Sequence, residues 1–213
     1  MKNIVKADKF FNEQEKKKIS ETTKDVESRT IGEVAVMVVD GSEQYPESGV
    51  IGGIFLGSLL SLVLTTLFLH ASLWWYIPLS LLFFFPSKYL FHNVPVLKTV
   101  FIGMRRKEHA VMQRAVRAFY EQGLYKTKQN TGVLFFLSLL ERKVWVLADK
   151  GIYEKIEQKT LNGFAQTVSQ GIKEGRACDA LCRAIEDAGT LLARHFPVTP
   201  DDTNELSDEV MTD

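Results

Sequence analysis

The sequence predicts an α/β protein: a small three-layer sandwich with a short mixed sheet, interrupted by a two-helix transmembrane hairpin. Three observations carry this reading. Residues 50–104 contain no Asp or Glu and only two basic residues, Lys88 and Lys98, although the whole chain balances 26 Lys+Arg against 26 Asp+Glu. Three short runs, Ile31–Asp40, Thr131–Leu140 and Lys143–Ala148, have the aliphatic and aromatic density of buried strands. The segments between them repeat apolar residues at helical spacing. Zero net charge disfavours a globally basic nucleic-acid binder, and 46% hydrophobic residues exclude a disordered or disulfide-rich chain.

Asn12 as N-cap with Glu15 three positions later is a capping-box arrangement, so a first helix is expected from there to about Ser28. Ile31–Asp40 (IGEVAVMVVD) is the first strand, and the chain then leaves through Gly41, Ser42 and Pro46. Val50–Leu69 holds no ionisable group, and at about 1.5 Å per residue a helix of that length spans one hydrocarbon core. A second apolar run, Leu73–Phe85, continues to Phe91, with Lys88 placed to snorkel and Trp74, Trp75 and Tyr76 placed at an interface. Residues 105–122 follow as an amphipathic helix that stops at Gly123. The strands Thr131–Leu140 and Lys143–Ala148 are joined through Glu141-Arg142, and two helices, about 152–171 and 176–195, finish the fold. The first two strands should pair in parallel through a right-handed crossover, and the third should return antiparallel.

Residues 1–49 and 105–213 thus form one split soluble domain, with an acidic tail from 197 that is expected to be extended and partly mobile. Residues 50–104 form the hairpin and its juxtamembrane segment. Two spans return both flanks to one compartment. The turn His70–Ser72 lacks Lys and Arg whereas Arg105, Arg106 and Lys107 follow the second span, so the soluble part should be cytoplasmic and these three residues should meet headgroups. Gly49, Gly53, Gly57, Ser61 and Thr65 recur every fourth residue. Such a smooth stripe, centred on Gly53, Gly57 and Ser61, packs either against the second span or against another copy of the hairpin.

Several local patterns resemble the TPM domain family: Glu27-x-x-Thr30-x-Gly32-Glu33 before the first strand, Thr131-Gly132-Val133-Leu134 opening the second, and Glu141-Arg142-Lys143-Val144 at the hairpin. The stretch Leu192-Ala193-x-His195-Phe196-Pro197 with Asp201-Asp202-x-Asn204-Glu205-Leu206 resembles membrane-inserted bacterial members, which implies an inner-membrane location. The resemblance implies three known associations: acid phosphatase activity, divalent-cation binding and maintenance of membrane complexes.

The residues themselves offer little catalytic machinery. Cys178 and Cys182, four apart on one helix, read as small helix-face residues, and no Arg follows six positions later as a cysteine phosphatase loop requires. His70, His92, His109 and His195 lack metal-ligand spacing. Carboxylates give a better foothold. An antiparallel third strand would bring Asp149 beside the starts of the other two, gathering Glu33, Asn130, Asp149 and Glu154 as hard oxygen ligands for Ca²⁺ or Mg²⁺. Lys126, Lys128 and Lys150 would repel that cation. The expectation is therefore a non-enzymatic, bilayer-tethered module without a cofactor that assists a membrane protein complex. The alternative is a divalent-metal-dependent phosphatase using Glu33, Asp149 and Glu154. Nucleic acid is not an expected partner, since the basic clusters lack interleaved aromatics.

Overall fold

The computed structural model of the chain describes residues 6–70, 72–127, 129–199 and 206–213. Two compact units emerge, one built from residues 3–42 and 108–213, the other from 43–107.

The first unit is a four-stranded mixed sheet with helices on both faces. The strands β1 (Glu33–Val39), β2 (Gly132–Ser138), β3 (Lys143–Ala148) and β4 (Met211–Thr212) lie in the order β3-β2-β1-β4. β1 and β2 run parallel with Glu33 opposite Gly132, and β3 returns antiparallel with Ala148 opposite Val133. Both pairings follow the expected topology. The fourth strand does not appear in the sequence reading, which gave the sheet three. Its Met211 and Thr212 pair parallel with Met37 and Val38 of β1.

Alternation along β1 and β2 sends side chains to two cores. Val34, Val36, Val38, Val133, Phe135 and Leu137 face one side. There they meet Ile19 and Val26 of α1 (Glu13–Glu27), Leu161 and Val168 of α7 (Gln158–Lys173), and Leu181, Ile185 and Leu192 of α8 (Ala177–His195). Ala35, Met37, Leu134 and Phe136 face the other side, against Val111, Ala115, Ala118 and Phe119 of α5 (Met104–Glu121). Both strands are buried along their whole length, as a continuous aliphatic run requires. A short turn, α6 (Lys150–Tyr153), links β3 to α7.

The second unit is a helical hairpin, α2 (Pro46–Phe68) and α3 (Leu73–Asn93), followed by a single turn, α4 (Pro95–Lys98). Among the described residues one helix, α2, is long and apolar enough to cross a membrane, with a mean hydropathy of 2.2. The expected second span is not shown. Trp74, Trp75, Tyr76, Pro78, Pro86 and Lys88 dilute the apolar run in α3.

Candidate functional site

Three of the motifs singled out in the sequence converge at the head of β1. Glu27, the last residue of α1, accepts the Val34 backbone N–H at Oε1 (2.9 Å). Thr30 is buried; its hydroxyl donates to the Phe196 carbonyl at 2.6 Å and accepts the Gly32 N–H at 3.0 Å. The Ile31 N–H reaches the same Phe196 carbonyl at 3.2 Å, and Thr30 bridges to Pro197. From the neighbouring strand, the Thr131 hydroxyl donates to the Ile31 carbonyl at 3.0 Å, while the Glu33 N–H donates to the Thr131 carbonyl at 3.2 Å. Three segments distant in sequence are therefore tied into one knot, and the side chains that tie it are the motif residues.

Carboxylates dominate the charge there. Glu27 hydrogen-bonds Asp208 of the C-terminal segment and lies near Glu33, which is only 4% exposed. Burial, then the contact with Asp208, pushes the Glu27 pKa up to about 9, against the opposing pull of the Val34 N–H. At neutral pH Glu27 is thus a neutral acid, accepting from Val34 and donating to Asp208. Lys24 Nζ stands 3.9 Å from Asp208 Oδ2. This arrangement can hold a proton between two carboxyl groups; no pattern in the sequence signals it, because Asp208 belongs to a tail expected to be extended and partly mobile.

The register does place Glu33 and Asp149 at the same end of the sheet, since the Asp149 N–H donates to the Gly132 carbonyl at 2.9 Å and Gly132 is opposite Glu33. Asp149 caps α6: Oδ1 accepts the Lys150 N–H at 2.7 Å, while Oδ2 is buried without a hydrogen-bond partner among the described residues. Glu154 lies at the far end of that turn and is exposed, as is Asn130. Among the described residues no three His, Cys, Asp or Glu side chains gather closely enough to hold a metal ion. Lys128, Asp201, Asp202, Asn204 and Glu205 lie outside the described residues. Glycine at 151 lets the α6 turn close on the preceding loop: a Cβ there would sit 2.6 Å from the Gln129 carbonyl oxygen and 2.7 Å from that of Asn130.

His70, His92, His109 and His195 are all exposed. Cys178 and Cys182 are free and buried on α8, and burial, followed by the neighbouring Cys182, pushes the Cys178 thiol up to about 12. A thiol so far from ionisation is a packing group rather than a nucleophile. Glu141, of the charged pair that joins β2 to β3, is buried; it accepts the Ser42 N–H at 3.1 Å and the Ser138 hydroxyl, tying the end of β1 to the β2–β3 turn.

In the hairpin unit, Gly53, Gly57 and Ser61 face α3. A Cβ at Gly57 would lie 3.0 Å from the Phe84 backbone nitrogen, and the Ser61 hydroxyl donates to the Tyr76 carbonyl at 2.7 Å. Arg106 grips Glu43 with two hydrogen bonds (2.6 and 2.5 Å), reaches Glu47 at 3.4 Å and covers the Tyr45 ring at 5.6 Å. It therefore joins the entrance of the hairpin to its exit. Arg105 is exposed and Lys107 half-buried.

A mixed sheet covered by helices, with a carboxyl pair at the head of its first strand, defines a small α/β sandwich domain. Residues 97–191 match the model of the TPM domain family, which bears out the resemblance drawn from the sequence motifs. That stretch runs from α4 into α8; the Glu27–Glu33 and Leu192–Leu206 patterns fall outside it. Among solved structures, the chain is similar to the NMR structure of BA42 protein from the psychrophilic bacterium Bizionia argentinensis. The two share a TM-score of 0.62 at 20% identity, covering 100% of each chain, a likeness of fold. No curated protein matches the chain.

Proposed function

We propose that the chain is a membrane-tethered TPM-domain module, non-enzymatic, that assists assembly or maintenance of a membrane protein complex. The observation that carries the tether is the inverted polarity of the hairpin. Its small residues Gly53, Gly57, Ser61 and Thr65 are buried, while Ile54, Phe55, Leu62 and Leu67 are 55–70% exposed. Water would oppose such a surface and acyl chains would cover it. α3 presents the same character through Leu81, Leu82 and Phe85, which supports a second span ending at Lys88. The uncharged turn at one end and Lys98, Arg105 and Lys107 at the other support a cytoplasmic sandwich in a bacterial inner membrane.

The interaction role is supported by what the sandwich does with its motif residues. Thr30 and Thr131 hold backbone together at the head of β1, a scaffold's use of side chains. Resistance of the chain to alkaline carbonate extraction, with reporter fusions at Asp213 and in the His70–Ser72 turn reporting opposite sides, tests tether and orientation together. Crosslinking followed by affinity purification identifies the complex. Hydrolysis of a generic phosphomonoester by the detergent-purified chain with Mg²⁺ or Ca²⁺, abolished by Asp149→Ala, would overturn the non-enzymatic reading.

A further inference from the structure

The chain does not leave the hairpin directly. After α3 ends at Asn93, residues 94–104 turn back along α2. The Phe101 ring centroid stands 5.8 Å from that of Phe55 and 5.4 Å from that of Phe91, and Ile102 is buried. Phe55 is nine residues into α2, about 14 Å along its axis from Pro46. Yet the last residue of α3 lies level with the first turn of α2, since a Cβ at Gly49 would touch His92, and Arg106 grips Glu43 and Glu47 at that same end. The segment therefore turns back beside the hairpin to seat Phe101 between Phe91, which packs at the level of Gly52, and Phe55, before it reaches Arg106. Successive tight turns make the excursion, with the Val100 N–H donating to Leu97 and the Ile102 N–H to Thr99.

One side of this excursion packs on the hairpin, and the other has no cover among the described residues. Val96, Val100 and Met104 are 50%, 61% and 63% exposed. Between Val94 and Met104 there is no acidic residue and one basic residue, Lys98, with Arg105 immediately beyond.

We propose that residues 94–104 form a re-entrant wedge that enters one leaflet beside the hairpin, with Val96 and Val100 against acyl chains and Lys98 and Arg105 against anionic headgroups. The occupant is lipid because the exposed valines continue the uncovered apolar surface of α2, at the level of Phe55. The basic residues at the water edge complement an anionic leaflet, each contributing roughly 1 kcal/mol when close to it. The wedge fixes the depth of the hairpin, because its apolar residues resist withdrawal into water and its basic residues resist entry into the hydrocarbon. The inference rests on the membrane reading above.

Single spin labels test it in the full chain, with Cys178 and Cys182 replaced by Ala, reconstituted into phosphatidylcholine vesicles with and without phosphatidylglycerol. Labels go at Val96, Val100, Leu60 in the middle of α2, and Asp8 as an aqueous reference; all four positions are exposed, so folding is spared. The expected result is oxygen accessibility exceeding that to a nickel chelate several-fold at Val96, Val100 and Leu60, and the reverse at Asp8. Lys98→Glu with Arg105→Glu should then raise chelate access at Val100 in phosphatidylglycerol vesicles. A lipid-like Leu60 with water-like Val96 and Val100 overturns the wedge and leaves the membrane reading standing. A water-like Leu60 overturns both. Low access to both reagents at Val96 and Val100 means a protein covers them, which also overturns the wedge.

Discussion

Glu27 carries its neutral form because two neighbours prefer it that way: an apolar surround that penalises charge, and Asp208, which gains a hydrogen bond only while Glu27 keeps its proton. The charges of Glu33 and Asp208 add repulsion in the same direction. An unfolded chain releases this proton near 4.5, whereas the folded chain keeps it to about 9. Across that window the folded state binds more protons, so stability from this group is fully present below 4.5 and is lost as pH rises through about 9. Thermal unfolding should show a midpoint that falls over this range. Glu27→Gln should flatten the dependence, since an amide still accepts from Val34 and donates to Asp208 without titrating. An unchanged slope in the variant would assign the dependence to other groups. A second residue, Gly57, is decided by contact: any side chain there meets the backbone of Phe83 and Phe84, which cannot swing aside. Cysteines at positions 61 and 76, where Ser61 already touches the Tyr76 carbonyl, should crosslink on oxidation. Gly57→Leu should abolish that crosslink, and Gly103→Ala, whose Cβ meets nothing within 4 Å, should leave it intact.

Elements differ in how much of their cause is local. α1 begins where Asn12 accepts the Glu15 N–H and Glu15 accepts the Asn12 N–H, both at 2.9 Å, so its start was legible from four residues. Asn12→Ala should lower the stability of the first unit by about 1 kcal/mol, read by denaturant midpoint at constant slope. β1 and β2 were equally legible, because burial on both faces demands an unbroken aliphatic run, and the half-buried edge strand β3 was legible from its Val, Trp and Leu residues. β4 was not. Two residues carry no period, and what makes them a strand is tertiary: the Asp213 N–H on the Val38 carbonyl, the Asp213 carboxylate on Arg114, Val210 against one core, and Leu206 with Met211 against the other. Ending the chain at Ser207 should therefore speed amide exchange along β1 and cost about 1–3 kcal/mol, although the sequence predicts an extended, partly mobile tail. Unaltered exchange in β1 would show that β4 contributes nothing to that edge. The candidate site was half legible for the same reason. Strand order alone placed Asp149 beside the start of β2, but the pairing of Glu27 with Asp208 and the burial of Glu141 depend on elements that sequence spacing does not bring together.

At the scale of the molecule, residues 43–107 divide a sandwich whose core residues lie wholly in the flanks. Every member of the two cores falls between Ala7 and Val39 or beyond Glu108, and α5 contributes Val111, Ala115, Ala118 and Phe119 after the hairpin unit has ended. The composition shift at residues 50 and 104 made this division legible, because a lipid-facing surface and a soluble core follow opposite rules for charge. Replacing residues 47–102 by a flexible Gly/Ser linker should therefore leave a chain that is soluble without detergent and unfolds in one cooperative transition. The topological cost is small, since each doubling of a flexible loop adds only about 0.6 kcal/mol of closure entropy. The linker also leaves Arg106, Tyr45 and Glu43 in place, and it removes the exposed leucines and phenylalanines that would otherwise drive aggregation. In that shortened chain the pH dependence due to Glu27 should persist unchanged, because Glu27, Val34 and Asp208 all belong to the first unit. A shortened chain that aggregates, or melts without a cooperative transition, would mean that the hairpin supplies part of the sandwich's stability and that the two units do not fold independently.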